Sequence, residues 1–237
     1  MIAFTLALLL QIAPPAPVTT DESRFLARAF ASMPCRLLVP RGYDAKKRYP
    51  LLVYLHGPGG IGTDNLRQIR GGNGQVLDRF VREQTAFPSF IVVPQSKGDG
   101  WADAAQLAKV PEVIAAVQKQ YSIDPRRLYI GGQSLGGFAT YALVSAHPKL
   151  FAAAFVLSGG GDPSKASTLA RVPFWILHGS ADRIVPVDTA YKMRDAIRKA
   201  GGIARYTEFR GEGHPIWTHF AEENEVVEWL FTQLRRN

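Results

Sequence analysis

Cysteine is nearly absent from this sequence of 237 residues, because Cys35 is the only one. A single thiol excludes an intrachain disulfide, and no second thiol or clustered set of metal ligands accompanies it. We therefore expect no bound metal. The apolar residues around Cys35 predict that it lies in a strand as a small apolar side chain.

The sequence also lacks an apolar run long enough to span a bilayer. The run Ile2–Leu10 has nine residues and precedes a proline-rich stretch, so no stable membrane insertion is expected. Its length fits the apolar core of a secretory signal, although no Lys or Arg precedes it and the spacing of small residues suits cleavage poorly. We expect residues 1–20 to be a signal segment of a secreted or periplasmic protein. The alternative is a disordered apolar N-terminus on a cytoplasmic protein.

Signals for nucleic-acid binding are absent as well. The formal net charge is +8, but no basic run is longer than Lys46–Arg48. There is no helix-turn-helix motif, zinc-ligand spacing or stripe of aromatic and basic residues. This pattern is typical of a solvated basic surface, and we expect no nucleic-acid partner. With 46% hydrophobic and 20% charged residues, we expect residues 21–237 to form one globular domain.

Apolar extended runs alternate with helical patterns along most of the chain. This alternation predicts an α/β fold in which helices flank a mostly parallel central sheet. The predicted strands are CRLLVP, YPLLVYLHG, SFIVVPQ, RLYIGG, FAAAFVLSG, VPFWILHG and ARYTEFRG, and the predicted helices are Asp21–Ala31, Gly74–Glu83, Ala105–Tyr121, Gly136–Ala146, Asp188–Ala200 and His219–Arg235. The gap from Gly159 to Arg171 is too short for a large lid.

One serine lies between four glycines at a predicted strand-to-helix turn, in YIGGQSLGGFATY. Gly132, Ser134 and Gly136 form a GxSxG motif. In this position the motif is typical of a nucleophile elbow, where small flanking residues let strand and helix pack closely. The alternative is a glycine-rich turn with no chemical role.

A nucleophilic serine needs a base within hydrogen-bond reach and a carboxylate that orients the base. Among five histidines, His214 is favoured because it follows the last predicted strand in a glycine-bearing loop. His219 is its close competitor at the start of the terminal helix. Asp182, just past a strand in HGSADRIVP, is the favoured acid, and Asp188 is the alternative that fits an N-cap better.

The remaining histidines are interpreted as structural. His56 and His178 lie at the ends of predicted strands, and His147 lies at the end of a helix, where its charge complements the helix dipole. The order Ser134, Asp182, His214 is that of an α/β-hydrolase, and each residue follows its own strand. Residues at the carboxyl ends of parallel strands gather at one edge of a sheet, so the three can converge there.

The motifs GGQSLGG, LHGPGGIGTDN, HGSADRIVP and GEGH together resemble the α/β-hydrolase superfamily, from about Tyr49 to the C-terminus. The closer similarity is to its small lidless esterases, a branch that includes carboxylesterases, polyhydroxybutyrate-depolymerase-like proteins and predicted peptidases. The resemblance implies that Ser134 is the nucleophile, His214 the general base and then acid, and Asp182 the residue that holds the imidazole. It implies no metal and no organic cofactor.

The developing oxyanion needs two backbone donors. Leu135 is expected to supply one, directly after the nucleophile. In relatives the residue after His-Gly supplies the other, but here that residue is Pro58, which has no N–H. Gly59 is expected to take its place, with Gly57 as the alternative.

Two tryptophans, Trp101 and Trp217, are expected either to border the substrate pocket or to be buried in packing. Gln133 and Asp64 fall near the predicted rim and are assigned no role.

The predicted function is hydrolysis of carboxylic esters through an acyl-enzyme intermediate, with a small-molecule or exposed polymeric ester as the substrate. Two alternatives stay open. One is a serine peptidase with the same triad, and the other is a non-catalytic binding protein on a hydrolase scaffold, which only Pro58 favours.

Overall fold

The computed structural model describes residues 21–222 and 225–235. The predicted signal segment, residues 1–20, lies outside the described residues. The strands are β1 Phe25–Phe30, β2 Met33–Leu38, β3 Tyr49–Leu55, β4 Phe90–Pro94, β5 Ile123–Gln133, β6 Ala153–Leu157, β7 Phe174–Gly179 and β8 Ala204–Phe209. The helices are α1 Gly71–Arg82, α2 Ala104–Gln120, α3 Leu135–Ala146, α4 Ala166–Leu169, α5 Asp188–Lys199, α6 Trp217–Glu222 and α7 Glu225–Thr232.

The strands form one eight-stranded sheet in the order β1-β2-β4-β3-β5-β6-β7-β8. β1 pairs with β2, and β2 with β4, in antiparallel orientation. All other neighbouring pairs, from β4 through β3 to β8, are parallel. The predicted α/β fold with a mostly parallel sheet is confirmed, and all seven predicted strands are present.

Apolar side chains cover both faces of the sheet, which explains why the central strands are continuous apolar runs. Along β3, Leu51, Val53 and Leu55 face one core, and Leu52 and Tyr54 face the other. The first core packs against α2, α3 and α5, and the second packs against α1, α6 and α7. Cys35 is fully buried in β2, as predicted, and burial raises the pKa of its thiol to about 12.

The helix predicted over Asp21–Ala31 is wrong. That segment contains a short 3-10 turn followed by β1, an edge strand that forms a hairpin with β2. The hairpin turns through Ala31 and Ser32, which both have positive φ, at 49° and 59°. Two-residue hairpin turns of this type normally contain Asn and Gly. The sequence therefore carries no usual hairpin signal here, and its Leu, Ala and Arg residues favour a helix locally.

The segment between β6 and β7 contains only a 3-10 turn and the four-residue α4, so no large lid is inserted there. The predicted terminal helix corresponds to α6 and α7, and α7 ends at Thr232 rather than at Arg235. None of the helices in residues 21–222 and 225–235 is both long and apolar enough to traverse a lipid bilayer.

Candidate active site

Ser134 lies at the turn between β5 and α3 in a strained backbone conformation, with φ 52° and ψ −117°. Its N–H donates to the Leu157 carbonyl at 2.8 Å, so the turn is attached to the neighbouring strand. A Cβ on Gly136 would lie 2.0 Å from the Leu55 carbonyl oxygen, and one on Gly132 would lie 2.5 Å from the Gly136 oxygen. Only glycine fits at both positions, and this close approach lets the turn be sharp enough to project the serine.

His214 and Asp182 approach Ser134 from two other loops at the carboxyl edge of the sheet. The Ser134 Oγ is 2.8 Å from His214 Nε2, and His214 Nδ1 is 2.7 Å from Asp182 Oδ2. An ionised carboxylate only accepts hydrogen bonds, so Nδ1 carries the proton and donates it to Asp182. Nε2 is then free to accept from the serine hydroxyl.

Asp182 is fixed by more than its contact with His214. Its Oδ1 accepts the backbone N–H groups of Ile184 and Val185 at 2.8 and 2.9 Å. Burial alone would raise the pKa of Asp182, but the hydrogen bond from His214 and those from the two N–H groups hold it below the ordinary value of 3.8. The side chain is therefore a buried anion with a fixed orientation.

Backbone contacts hold the His214 loop in place. The Ser158 hydroxyl donates to the His214 carbonyl at 2.8 Å, and Ala181 N–H donates to the Glu212 carbonyl at 2.8 Å. A Cβ on Gly179 would lie 2.2 Å from the Gly213 carbonyl oxygen, so the loop passes directly over the end of β7. These contacts join the loop that bears the histidine to the one that bears the aspartate.

The other histidines do not approach the serine. His219 Nε2 lies 3.3 Å from Glu212 Oε2, and its ring stacks on Phe209. His178 is fully buried; its Nε2 donates to the Val185 carbonyl at 2.8 Å and lies 3.2 Å from Asp182 Oδ2. Burial lowers the pKa of His178, so it packs behind Asp182 as a neutral ring. Asp188, the alternative acid, is the first residue of α5.

The HGPGG loop after β3 faces the same edge and is held from several sides. His56 is buried, and its Nδ1 donates to the Gly57 carbonyl at 2.7 Å while Ser96 N–H donates to its Nε2 at 3.1 Å. Burial lowers the pKa of His56 to about 4, so the ring stays neutral in this structural role. Gly57 N–H donates to Asn73 Oδ1 at 3.0 Å, which occupies that donor.

Two backbone donors near Ser134 remain unoccupied. Pro58 begins a 3-10 turn and supplies no N–H. Among the described residues, the N–H groups of Gly59 and Leu135 have no hydrogen-bond acceptor. Gly59 lines the cavity next to Ser134, and a Cβ added there would meet no atom within 4 Å. Of the two glycines considered, Gly59 is thus the one with a free donor, because Asn73 engages Gly57.

The two tryptophans have different positions. Trp217 lines the cavity, with its ring edge-on to His214 at a centroid distance of 5.6 Å. Trp101 is buried and does not line the cavity, which is the packing alternative of the two considered for it. Its indole N–H instead donates to the His56 carbonyl at 3.1 Å. Trp101 therefore supports the HGPGG loop through its hydrogen bond to His56.

The cavity in front of Ser134 has a volume of about 430 Å³. Its other walls come from residues that the sequence did not single out. These are Arg67, Arg70, Gly71, Gly72 and Asn73 around the start of α1, and Ile184 after β7. The predicted helix begins at Gly74, whereas α1 begins three residues earlier, at Gly71, so the residues that form this wall lie just outside the predicted helix. Gln133, which was assigned no role, also lines the cavity.

No group of three or more His, Cys, Asp and Glu side chains within the described ranges could hold a metal ion.

The strand order and the serine at the β5–α3 turn define the α/β-hydrolase fold class. The Esterase family model ("Putative esterase") matches residues 29–224. The chain belongs to this family and is a carboxylic ester hydrolase.

Individual relatives agree with this assignment. The "Probable feruloyl esterase C" of Aspergillus terreus is 28% identical over 199 residues, which are 82% of this chain and 72% of that protein. A solved thermostable esterase is 34% identical with a TM-score of 0.85, over 90% of this chain and 64% of that chain. This chain thus spans just under two thirds of the solved esterase. A solved ferulic acid esterase, 19% identical with a TM-score of 0.66 over 87% of this chain and 95% of that one, shares the fold.

Proposed function

We propose that Ser134, His214 and Asp182 hydrolyse carboxylic esters through an acyl-enzyme intermediate. The observation that carries this proposal is the continuous hydrogen-bond chain from the Ser134 hydroxyl through His214 to Asp182, with lengths of 2.8 and 2.7 Å. His214 takes the serine proton as the oxygen attacks the ester carbonyl, and then gives that proton to the leaving alcohol. Water activated by His214 hydrolyses the acyl-enzyme in the second half of the reaction.

The N–H groups of Leu135 and Gly59 are proposed to hold the oxyanion. Both are free of internal acceptors in the described part of the chain, and Gly59 faces the cavity. The hydrogen bonds of His56 and Asn73 with Gly57 keep the loop rigid, so these donors are oriented before the charge develops. Pro58 then starts the turn that carries Gly59 and is not itself a donor.

The substrate is proposed to be a small or exposed ester, because no large lid follows β6 to enclose a long acyl chain. Feruloyl-type aromatic esters are the first substrates to test, since the similar proteins from Aspergillus species are feruloyl esterases by name. The Trp217 indole and the Ile184 side chain offer apolar walls for such an acid.

Labelling with a fluorophosphonate probe tests the nucleophile. We expect stoichiometric labelling of the wild-type protein, no labelling of Ser134→Ala, and normal labelling of Ser145→Ala, a matched change near the far end of α3, the helix that follows Ser134. A folded wild-type protein that never labels would refute the assignment.

A substrate panel tests the reaction class. Methyl ferulate, p-nitrophenyl acetate and a fluorogenic peptide set are assayed in parallel, and we expect ester turnover that requires Ser134. Peptide turnover without ester turnover would instead favour a serine peptidase with the same triad.

Expression in the native host tests the expected signal segment. Export of the protein with residues 1–20 removed would support this segment, and a cytoplasmic protein that retains residues 1–20 would contradict it.

A further inference from the structure

Several hydrogen-bond donors lie in the polar wall of the cavity. Asn73 and Gln133 are 3% and 5% exposed, and both line the cavity. Their oxygens are occupied, because Asn73 Oδ1 accepts Gly57 N–H and Gln133 Oε1 accepts the Tyr54 hydroxyl at 2.7 Å. Their amide nitrogens have no partner among the described residues, yet neither atom is fully enclosed. Two buried amide NH₂ groups are therefore open to a ligand.

Two cations extend this donor surface to the cavity mouth. Arg70 pairs with Glu22 through Nε at 2.6 Å and Nη2 at 2.9 Å, which leaves Nη1 free. Arg67 pairs with Asp64 through Nε at 3.2 Å. Both arginines line the cavity, whereas Glu22 and Asp64 do not. The carboxylates thus hold the guanidinium groups in place from outside the cavity, and no carboxylate lines it.

The beginning of α1 adds to the same surface. Gly71 and Gly72 line the cavity, and no side chain caps this end of the helix. The Trp217 indole nitrogen lies against Gly72, where a Cβ would come within 2.5 Å of it. The positive end of the helix dipole therefore points toward the cavity together with the two arginines.

This supply of donors exceeds what an ester group needs. The oxyanion requires two N–H groups, which Leu135 and Gly59 supply in the proposed reaction. The remaining donors, of which two are cationic, match a second group that is rich in acceptors and negatively charged. A neutral apolar group would leave the amides of Asn73 and Gln133 desolvated without partners.

We propose that this cavity selects esters that carry a carboxylate in addition to the ester group, with Arg67, Arg70, Asn73 and Gln133 binding that carboxylate. The proposal rests on the proposed function, because it places the carboxylate beside the serine that attacks the ester. The substrate class is that of half-esters of dicarboxylic acids and esters of hydroxy acids. No acidic side chain lines the cavity to repel the substrate's charge.

Two matched substrate pairs test the proposal, one for each side of the ester. Monomethyl adipate is compared with methyl caproate, which has a methyl group in place of the carboxylate on the acyl side. Carboxymethyl cinnamate is compared with isobutyl cinnamate, which replaces the carboxylate on the alcohol side. Release of acid is followed in a pH-stat, and the ratio of kcat/KM for the charged and neutral esters is measured in each pair.

We expect the charged ester to be preferred by about 10-fold in at least one pair, since a factor of ten corresponds to about 1.4 kcal/mol and hydrogen bonds to a charged group contribute at least this much. The Arg67→Gln, Arg70→Gln double variant should bring that ratio close to one. Arg41→Gln is the control: Arg41 is exposed and follows β2, which runs antiparallel to β4 and ends at the opposite edge of the sheet. It should keep the wild-type ratio.

Salt provides a second measurement that needs no variant, because screening weakens exposed charges. The ratio for wild-type protein should fall as ionic strength rises. A ratio near or below one in both pairs, or a preference that survives the double substitution, would overturn the proposal. If the wild-type protein hydrolyses no ester of either kind, the proposed function itself fails, so the two failures are distinguishable.

Discussion

Replacing Asp182 by Asn is expected to remove most of the activity while leaving the fold intact. The Asp182 Oδ1 accepts two backbone N–H groups, from Ile184 and Val185, at 2.8 and 2.9 Å. Only an oxygen can accept both, so the amide oxygen of the variant should occupy this position. The amide NH₂ then takes the place of Oδ2, which lies 2.7 Å from His214 Nδ1.

This orientation reverses the hydrogen bonds along the chain to the serine. An NH₂ group beside His214 Nδ1 donates to it, which moves the ring proton to Nε2. Nε2 then donates to the Ser134 hydroxyl and can no longer accept its proton. The variant also loses the negative charge that stabilises the imidazolium in the transition state.

The expected loss in kcat is roughly 10³- to 10⁴-fold, at or somewhat below the loss of about 10⁴-fold for the equivalent substitution in a serine protease. At about 1.36 kcal/mol for each factor of ten, this corresponds to about 4 to 5.5 kcal/mol of transition-state stabilisation. KM should change little, because the substrate does not contact Asp182 in the proposed reaction. Steady-state kinetics with an activated ester measure both parameters.

Asp188→Asn is the matched control, because Asp188 lies in the first turn of α5 and was the alternative acid. It should retain nearly full activity. Thermal unfolding of both variants identifies any loss that comes from misfolding. A folded Asp182→Asn protein that keeps more than about a tenth of wild-type kcat would refute the reasoning about the tautomer.

Three further outcomes are expected. Burial lowers the folded-state pKa of His56 from 6.5 to about 4, so between these pH values protons bind preferentially to the unfolded chain. The free energy of unfolding should therefore fall by about 3 kcal/mol on acidification from about pH 6.5 to pH 4, at about 1.36 kcal/mol per pH unit. Urea denaturation across this range checks it, and a flat profile would contradict it. Trp101→Phe removes the donor to the His56 carbonyl and should lower kcat about 10-fold with little change in KM. The control Trp175→Phe loses a hydrogen bond to Thr207 in β8 and should leave kcat unchanged. Replacing Ala31 and Ser32 by Asn and Gly fits their positive φ values and should raise the free energy of unfolding by about 1 kcal/mol; a lower urea midpoint would argue against this turn.

Much of the fold could be predicted from local patterns. Strands β3, β4, β6 and β7 appear as continuous apolar runs because both faces of the sheet are covered there, so these runs need no periodicity to be recognised. β1 could not be found in this way, since it is an edge strand with four consecutive exposed residues. The hydrogen bonds that β1 forms with β2 override the local helical preference of this segment, and a reading of the segment alone does not include them.

The candidate catalytic residues were also accessible from sequence, because each lies in a short motif after a strand. Loop placement favours His214 over His219 in the sequence, and the structure adds the distance of 2.8 Å between His214 Nε2 and the Ser134 Oγ. Ser134 and His214 are 80 positions apart, and their contact depends on β5 and β8 ending at the same edge of the sheet.

The sequence by itself determined the order of the strands from β2 to β8, the sharp turn at Ser134 and the order of serine, aspartate and histidine, because these depend on neighbouring residues. The tertiary structure alone decided which glycine keeps a free donor, because Asn73 on α1 engages Gly57. It also decided that Trp101 bonds to the loop rather than lining the cavity, and that Gln133, Asn73 and two arginines line the cavity in front of the serine. Those properties depend on which groups far apart in the chain occupy each other's hydrogen bonds, and only packing determines that.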